Sequence, residues 1–385
     1  MHNFLANYLE KIIEVPFTLN YVSETLHIGK GEPAFTVTIK EEIPKKDLIA
    51  STSLALGEAY MKGNIEVDKD LYEVINLLLS NIDSFSMKKS LVRKIIYTRT
   101  SKKNQEKEVT SHYDIGNDFY SLWLDETMSY SCAYFKNSND TLYDAQVNKV
   151  DHILEKLHLK KEMSLLDIGC GFGFLLKRAA KKYGVKGLGI TLSKEQYNKF
   201  SKDIKREGLE GLVTVKLMDY RELQKSNLLF DRVVSVGMLE HVGRDNYPLF
   251  IQNVNEVLKD SGLFLLHFIS ELKESPGDPW IKKYIFPGGV IPSLREVISV
   301  MGNNNMYTID VESLRRHYNK TLLCWRDNFL KEKDKIIEMQ GIEFTRMWDV
   351  YLSSCAAAFN NGVVDLHQVL MSKGINNDIP LNRII

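Results

Sequence analysis

Apolar residues along this chain recur with two periods, and the switches between them mark its elements. Between Tyr143 and Leu157, the positions Val147, Val150, Ile153, Leu154 and Leu157 fall at helical spacing. Leu165-Leu166-Asp167-Ile168 then reads as a buried strand. Gly169, Gly171 and Gly173 follow at alternate positions, and a helical pattern takes over through Leu175, Leu176, Ala179 and Ala180. The alternation continues downstream, with strands at 185–191, 213–218, 230–236 and 262–269. Helices fall at 193–206, with Ser193 as N-cap, and at 247–258. Strands alternating with helices predict an α/β fold with a parallel sheet covered on both faces. Ligands of such sheets bind beyond the carboxyl ends of the strands. Thr191, Asp219, Glu240 and His267 fall just past strand ends, as does the glycine turn, so they are expected to converge.

The flanks read differently. Residues 1 to about 85 mix a strand-like alternation at 35–39 with helical stretches at 54–61 and 71–79, which predicts a small α+β domain. In MKKSLVRKIIYTRTSKK (87–103), Met87, Leu91, Val92, Ile95 and Ile96 share one helical side, and Lys88, Lys89, Arg93, Lys94 and Arg99 fill the others. A basic amphipathic helix suits an anionic membrane surface; an inter-domain helix with its stripe packed inward has the same pattern. Residues 102–109 are polar enough for a linker, so domains at 1–100 and 110–385 are expected. The aromatic and polar stretch 112–135 lacks clean periodicity and suits a loop over a ligand. Residues 271–385 read as mostly helical, a cap over the sheet edge.

With 385 residues, two domains are the starting expectation. Lys+Arg and Asp+Glu balance at 50 each, so overall charge gives no argument for nucleic acid, and an anionic partner must be met by a local patch. MHNFLANYLEKIIEV is not a secretory signal, and no stretch approaches the roughly 20 apolar residues that span a bilayer. Cys132, Cys170, Cys324 and Cys355 are widely spaced. That argues against a zinc site or a disulfide scaffold and fits a reducing cytosol.

Asp-x-Gly-x-Gly-x-Gly at 167–173 is not the dinucleotide fingerprint. It looks like motif I of the S-adenosylmethionine (SAM)-dependent methyltransferases; a ligand-free Gly-rich turn is the plain alternative. Further segments carry a more specific resemblance. HYDIGNDFYSLWLD, MSYSCAYF, LLDIGCGFG, GITLSKEQ, VSVGMLEHVG, LLHFIS, PWIKKYIFPGGVIPS, HYNKTLLCW and YLSSCAAAF run in order over about 110–370. Together they resemble the cyclopropane-fatty-acyl-phospholipid synthases and their mycolic-acid relatives. Phe172 stands where many members carry Trp.

The resemblance implies a Rossmann-like SAM-methyltransferase sheet with a helical cap, plus the small N-terminal α+β domain. It implies SAM at Tyr130, Ser131, Asp167, Gly169, Cys170, Gly171, Gly173, Thr191, Leu192, Ser193, Gln196, Asp219, Tyr220 and Arg221. Thr191 stands where general methyltransferases often place an acid. Read locally, Thr191 and Ser193 are also ordinary capping residues and Asp219 a turn former. The resemblance further implies a bound bicarbonate as base, held by Cys132, Glu240, His267, the backbone at Ile269, and Tyr318. His and Tyr can donate to its oxygens, and a carboxylate can accept its proton. His267 also fits a satisfied core histidine and Cys132 a buried filler. Cys355, read in the family as a nucleophile, lies on a small-residue helix face where packing is the simpler role. Tyr130, Tyr134, Phe268 and Tyr318 are candidates to stabilise a cation or to line an acyl tunnel.

The implied reaction moves the SAM methyl to a cis double bond of a phospholipid acyl chain and closes a cyclopropane ring. The implied setting is the cytoplasmic face of an anionic membrane, as a peripheral homodimer. Methylation without ring closure, on lipid or on a small amine, is the second reading. A non-catalytic SAM-binding or scaffold protein is the third.

Overall fold

The structure, a computed structural model, describes residues 15–80 and 116–382; the basic stretch 87–103 and the linker 102–109 lie outside them. The described residues fall into two compact units. One is drawn from Met1–Ile96, Gly277–Pro287 and Leu322–Val363, the other from Tyr97–Pro276, Gly288–Thr321 and Val364–Ile385.

The first unit opens with β1 (Phe17–Tyr21), β2 (Glu24–Ile28), β3 (Thr36–Ile39), α1 (Lys45–Ala50), α2 (Thr52–Met61), β4 (Ile65–Val67) and α3 (Leu71–Leu79). Phe17, Leu19 and Tyr21 alternate inward along β1, the period-2 signature of a half-buried strand. Ser51 and Asp70 cap α2 and α3 by accepting backbone N–H bonds. The strands form a sheet in the order β2-β1-β3-β4.

The second unit carries the glycine turn. Its elements begin with α4 (Asn117–Tyr120), α5 (Leu142–Lys156), β5 (Ser164–Ile168), α6 (Phe174–Tyr183), β6 (Lys186–Thr191) and α7 (Lys194–Arg206). Then come β7 (Val213–Leu217), β8 (Phe230–Val236), α8 (Tyr247–Val257) and β9 (Leu258–Ser270). Thr141 and Asp144 close a reciprocal capping box at the start of α5. The rest of the chain supplies α9 (Pro279–Tyr284), α10 (Leu294–Asn303), β10 (Met306–Ser313), α11 (Arg315–Lys331), α12 (Lys333–Gln340), α13 (Ile342–Asn360) and β11 (Asp365–Lys373).

The large sheet has the order β10-β11-β9-β8-β5-β6-β7. Its strands from β9 to β7 pair in parallel, as the βα alternation predicts. The other edge departs from expectation: β11 pairs antiparallel to both β9 and β10. The stretch 271–385 therefore gives two strands to the sheet as well as helices. Leu366, Gln368, Val369, Leu370 and Met371 are buried on both sides of β11, so no clean alternation betrays it. Neighbouring residues of one strand divide between two cores. Leu165, Leu263 and Leu265 pack with α5, α6 and α7; Leu166, Phe264 and Leu266 pack with α8 and α10. No described helix is long and apolar enough to cross a membrane.

Candidate functional site

The turn after β5 is shaped by glycines for different reasons. Gly169, Gly171 and Gly173 all have positive φ, at 82°, 54° and 77°. A Cβ on Gly173 would lie 2.1 Å from the Phe200 ring, so this glycine is demanded by packing. A Cβ on Gly171 would meet nothing within 4 Å. Gly171 instead lines a cavity of about 180 Å³ with Tyr130, Ser131, Asp167, Gly169, Cys170 and Gly173. Thr191, Leu192, Gln196 and Tyr220 line it from the next strand ends.

Thr191, Ser193 and Gln196 satisfy one another. The Thr191 hydroxyl donates to Gln196 Oε1 at 2.7 Å and accepts from the Ser193 amide at 3.1 Å. Ser193 caps α7 through the Gln196 amide and does not line the cavity. Nor do Asp219 and Arg221: Asp219 caps the turn 220–225 and pairs with the Arg221 guanidinium at 2.9 Å. These three cofactor candidates therefore sit beside the lining residues, with their side chains engaged in local hydrogen bonds.

The expectation missed Lys149. It is buried on α5, lines the cavity, and donates to Ser131 Oγ at 3.0 Å. Burial lowers it to about 8, opposed by the carboxylates of Asp125 and Asp167 and by Cys132. Burial likewise pushes Asp167 up to about 7, with Lys149 opposing. Gln146, one turn earlier, donates to the Ser129 and Ser131 carbonyls and pins the loop that carries Tyr130. Gln146, Lys149, His152 and Lys156 recur at helical spacing and are all buried. That polar stripe, beside the apolar one, was the available signal.

Of the residues expected to hold the base, His267 and Ile269 lie near the carboxyl end of β9, where Glu240 reaches the Ile269 amide. Strand β8 ends at Val236, opposite His267, and the Gly237 amide takes the His267 carbonyl. The Ile269 amide, left without a neighbour on β8, donates to Glu240 Oε1 at 2.7 Å. Across β11, Leu366 faces Ile269 and its carbonyl accepts from the Leu314 amide at 2.8 Å. The Leu314 carbonyl accepts from the Tyr318 amide and, at 3.9 Å, from the Cys132 thiol. Two separate sets of bonds result: Glu240 is tied to the Ile269 amide, while Cys132 and Tyr318 are tied to Leu314, which bonds Leu366, the β11 register partner of Ile269. Two placements need correcting: Thr191 is the last residue of β6 and His267 lies inside β9, three residues before its end at Ser270, so neither falls past a strand end.

Two buried atoms here lack a hydrogen-bond partner among the described residues: Glu240 Oε2 and His267 Nε2. Burial raises Glu240 to about 7, against the Ile269 amide that favours its anion. Burial holds His267 well below its usual value, so the ring is neutral. Burial raises the Cys132 thiol, so it is no thiolate.

Two aromatic expectations change. Tyr134 is stacked between His152 and His317, with centroids 4.3 and 4.7 Å away, so neither face is open to a cation. Phe268 points to the opposite face of the sheet from His267 and packs in the core with Phe264 and Leu266. Tyr130 packs against Trp123 and Tyr120. Cys355 belongs to the other unit, on α13, where burial pushes its thiol up to about 12; that suits packing rather than nucleophilic attack.

Residues 100–369 match the family model described as mycolic acid cyclopropane synthetase, and 4–90 match a domain family of unknown function. The chain is 40% identical over 360 residues to the cyclopropane-fatty-acyl-phospholipid synthase of Escherichia coli K12, covering 92% of each chain. It is 37% identical to a probable fatty acid methyltransferase of Pseudomonas putida, covering 91% of each. Among solved structures, the mycolic acid cyclopropane synthase CmaA1, complexed with SAH and CTAB, is similar with a TM-score of 0.66 and 35% identity. The match covers 70% of this chain and 98% of that one.

Proposed function

Because the chain belongs to the mycolic acid cyclopropane synthetase family of SAM-dependent methyltransferases, we propose that it is a cyclopropane-fatty-acyl-phospholipid synthase using bicarbonate as its base. The observation that carries the base is the pair of unpartnered buried atoms, Glu240 Oε2 and His267 Nε2. Buried polar groups are almost always satisfied. An open acceptor on Glu240, whose other oxygen is held by the Ile269 amide, and an open ring nitrogen on His267, two residues before Ile269, suit a small oxyanion that carries one proton. In this reading Glu240 accepts that proton, His267 and Tyr318 donate, and the Ile269 amide fixes Glu240. Cys132 closes the wall.

SAM supplies a methyl on a positively charged sulfur. Gly171 leaves room for that ligand, and the loop through Tyr130 and Ser131 covers it, pinned by Gln146 and Lys149. The alkene π electrons form the new C–CH₃ bond as the S–CH₃ bond breaks. One C–H bond of that methyl then breaks, its electrons close the ring, and the proton leaves to the base held by Glu240 and His267. A base held in place and away from water makes this feasible at neutral pH.

Mass spectrometry of lipids from a host expressing the chain tests the reaction. A gain of one CH₂ with loss of the alkene is expected. A gained methyl with no ring supports the second reading, lipid methylation alone. Wild-type activity is expected to fall on removing dissolved carbonate and to recover on adding it back; constant activity overturns the bicarbonate.

The proposal extends to a homodimer at the cytoplasmic face of an anionic membrane, taking unsaturated phospholipid from the bilayer and docked by the basic segment 87–103. Each basic residue near such a surface contributes about 1 kcal/mol. Reversing Lys88, Lys89, Arg93 and Lys94 is therefore expected to weaken co-sedimentation with anionic vesicles, and unchanged binding removes that segment from the reading.

A further inference from the structure

His267 stands in a row of side chains that crosses the sheet on one face. In the antiparallel registers Gln368 of β11 is opposite His267 of β9, and Glu312 of β10 is opposite Gln368. Gln368 Nε2 lies 3.2 Å from His267 Nδ1, and Gln368 Oε1 lies 3.0 Å from Lys156 Nζ. Lys156, the last residue of α5, also pairs with Glu312 and, at 3.5 Å, with Asp310. Gln368, His267 and Lys156 are all at least nine-tenths buried.

The orientation of an amide and the tautomer of an imidazole must be inferred from their partners. Here the partners decide both. An ammonium can only donate, so the Gln368 atom facing Lys156 is the carbonyl oxygen. The atom facing His267 is then the NH₂ group, which also can only donate. Nδ1 must accept, and the proton of the neutral ring is on Nε2. We propose that Gln368, oriented by Lys156, is a positioning residue that holds His267 as the Nε2–H tautomer and so sets its open edge to bind an acceptor.

The neutral state of the ring agrees with its burial and with the cations of Lys149 and Lys156 in its surroundings, which Glu312 only partly offsets. The apolar face formed by Leu263 and Leu265 gives way here to His267. No water or polar wall is needed to hold the ring, because strand pairing already sets Gln368 beside it. The catalytic meaning of the tautomer rests on the proposed base site. The tautomer itself does not.

The test is NMR of full-length protein carrying ¹⁵N-labelled histidine, with the His267 signals identified by their loss in His267→Gln. In the wild type, Nε2 is expected at the proton-bearing position and Nδ1 at the bare one. Gln368→Glu sets an acceptor against Nδ1 and is expected to move the proton-bearing signal onto Nδ1. Gln368→Leu removes the donor and is expected to give a mixture of tautomers. Turnover on unsaturated phospholipid vesicles is expected to fall about 10- to 100-fold in Gln368→Glu, the range for an outer partner that orients a functional histidine, with KM for SAM unchanged. A wild-type ring protonated on Nδ1, or one indifferent to both substitutions, overturns the assignment. The wild-type measurement stands even if neither variant folds. A proton that moves as expected with turnover unchanged supports the assignment and overturns the role of His267 in the proposed base site.

Discussion

Around the glycine turn the cavity wall is largely backbone, and its side chains come from short stretches of sequence. Gly169 to Gly173 lie in one turn, and Thr191, Leu192 and Gln196 in the next βα connection. At the carboxyl end of β9 the polar groups come from far apart. Strand pairing sets Gln368 beside His267, Glu240 reaches the Ile269 amide from the turn after β8, Lys156 reaches in from α5, and Cys132 and Tyr318 both bond Leu314. The first region makes space by leaving side-chain atoms out. The second presents buried atoms with no hydrogen-bond partner among the described residues. A space is tolerant of small errors in its walls, whereas an unpaired buried polar atom costs about 1–3 kcal/mol and needs its ligand placed well.

Substitutions should separate the two regions. Glu240→Gln replaces an acceptor oxygen with a donor. Losing one preorganised polar group in a dry site costs about 10²- to 10³-fold in turnover, while calorimetry should find SAM binding unchanged. Wild-type turnover in this variant would refute the role of Glu240; weakened SAM binding would show that the two regions are not separable.

The same variant probes the linkage of Glu240 to stability. Its pKa is raised from the ordinary 4.5 to about 7 in the fold, so its contribution is fully present below about 4.5 and is lost as pH rises through about 7. Relative to Glu240→Gln, the wild type should lose a few kcal/mol of stability over that window, because each tenfold change in proton affinity is worth about 1.4 kcal/mol. Denaturant titrations at several pH values, without ligands, read this directly. A parallel pair of curves would mean that the carboxyl is solvated.

On the other side, Gly171→Val fills the open part of the cavity. Overpacking typically costs about 1–3 kcal/mol, which corresponds to about 5- to 150-fold weaker SAM binding in a protein that still folds. Undiminished affinity would move the ligand away from the turn.

The smallest effects sharpen the contrast between neighbouring glycines. Gly173→Ala drives a methyl into Phe200 and should lower thermal stability, whereas Gly171→Ala meets only the strain of positive φ, about 1 kcal/mol. Equal losses in the two variants would show that both glycines serve packing.

Much of the first region can be read in the linear chain because its causes are local. A strand, three glycines at alternate positions and a helix start within a dozen residues allow few geometries. Ser193 capping α7 and the β8 span 230–236 follow from equally short-range rules. Even there, only the structure shows that Asp219 and Arg221 pair with each other and are not among the lining residues.

The second region was legible only as residue types carried by a family resemblance. Glu240 and His267 stand out in VSVGMLEHVG and LLHFIS, but nothing linear ties Glu240 to the amide of Ile269. Gln368 lies in a strand buried on both faces, where hydrophobic alternation is silent, inside a stretch that reads as helical. Lys149 and Lys156 hide in a helix whose apolar stripe attracts the eye first.

By itself, then, the sequence determined the βα succession, the glycine turn that lines the cavity and the identities of the groups available for chemistry, because each depends on contacts within a few residues. Tertiary structure alone decided that β11 runs antiparallel beside β9. That register sets Gln368 against His267, and Lys156, arriving from another element, determines which end of the amide faces the ring. Which nitrogen carries the proton is thus a property of three residues spread over more than 200 positions, and only the folded chain brings them within hydrogen-bond reach.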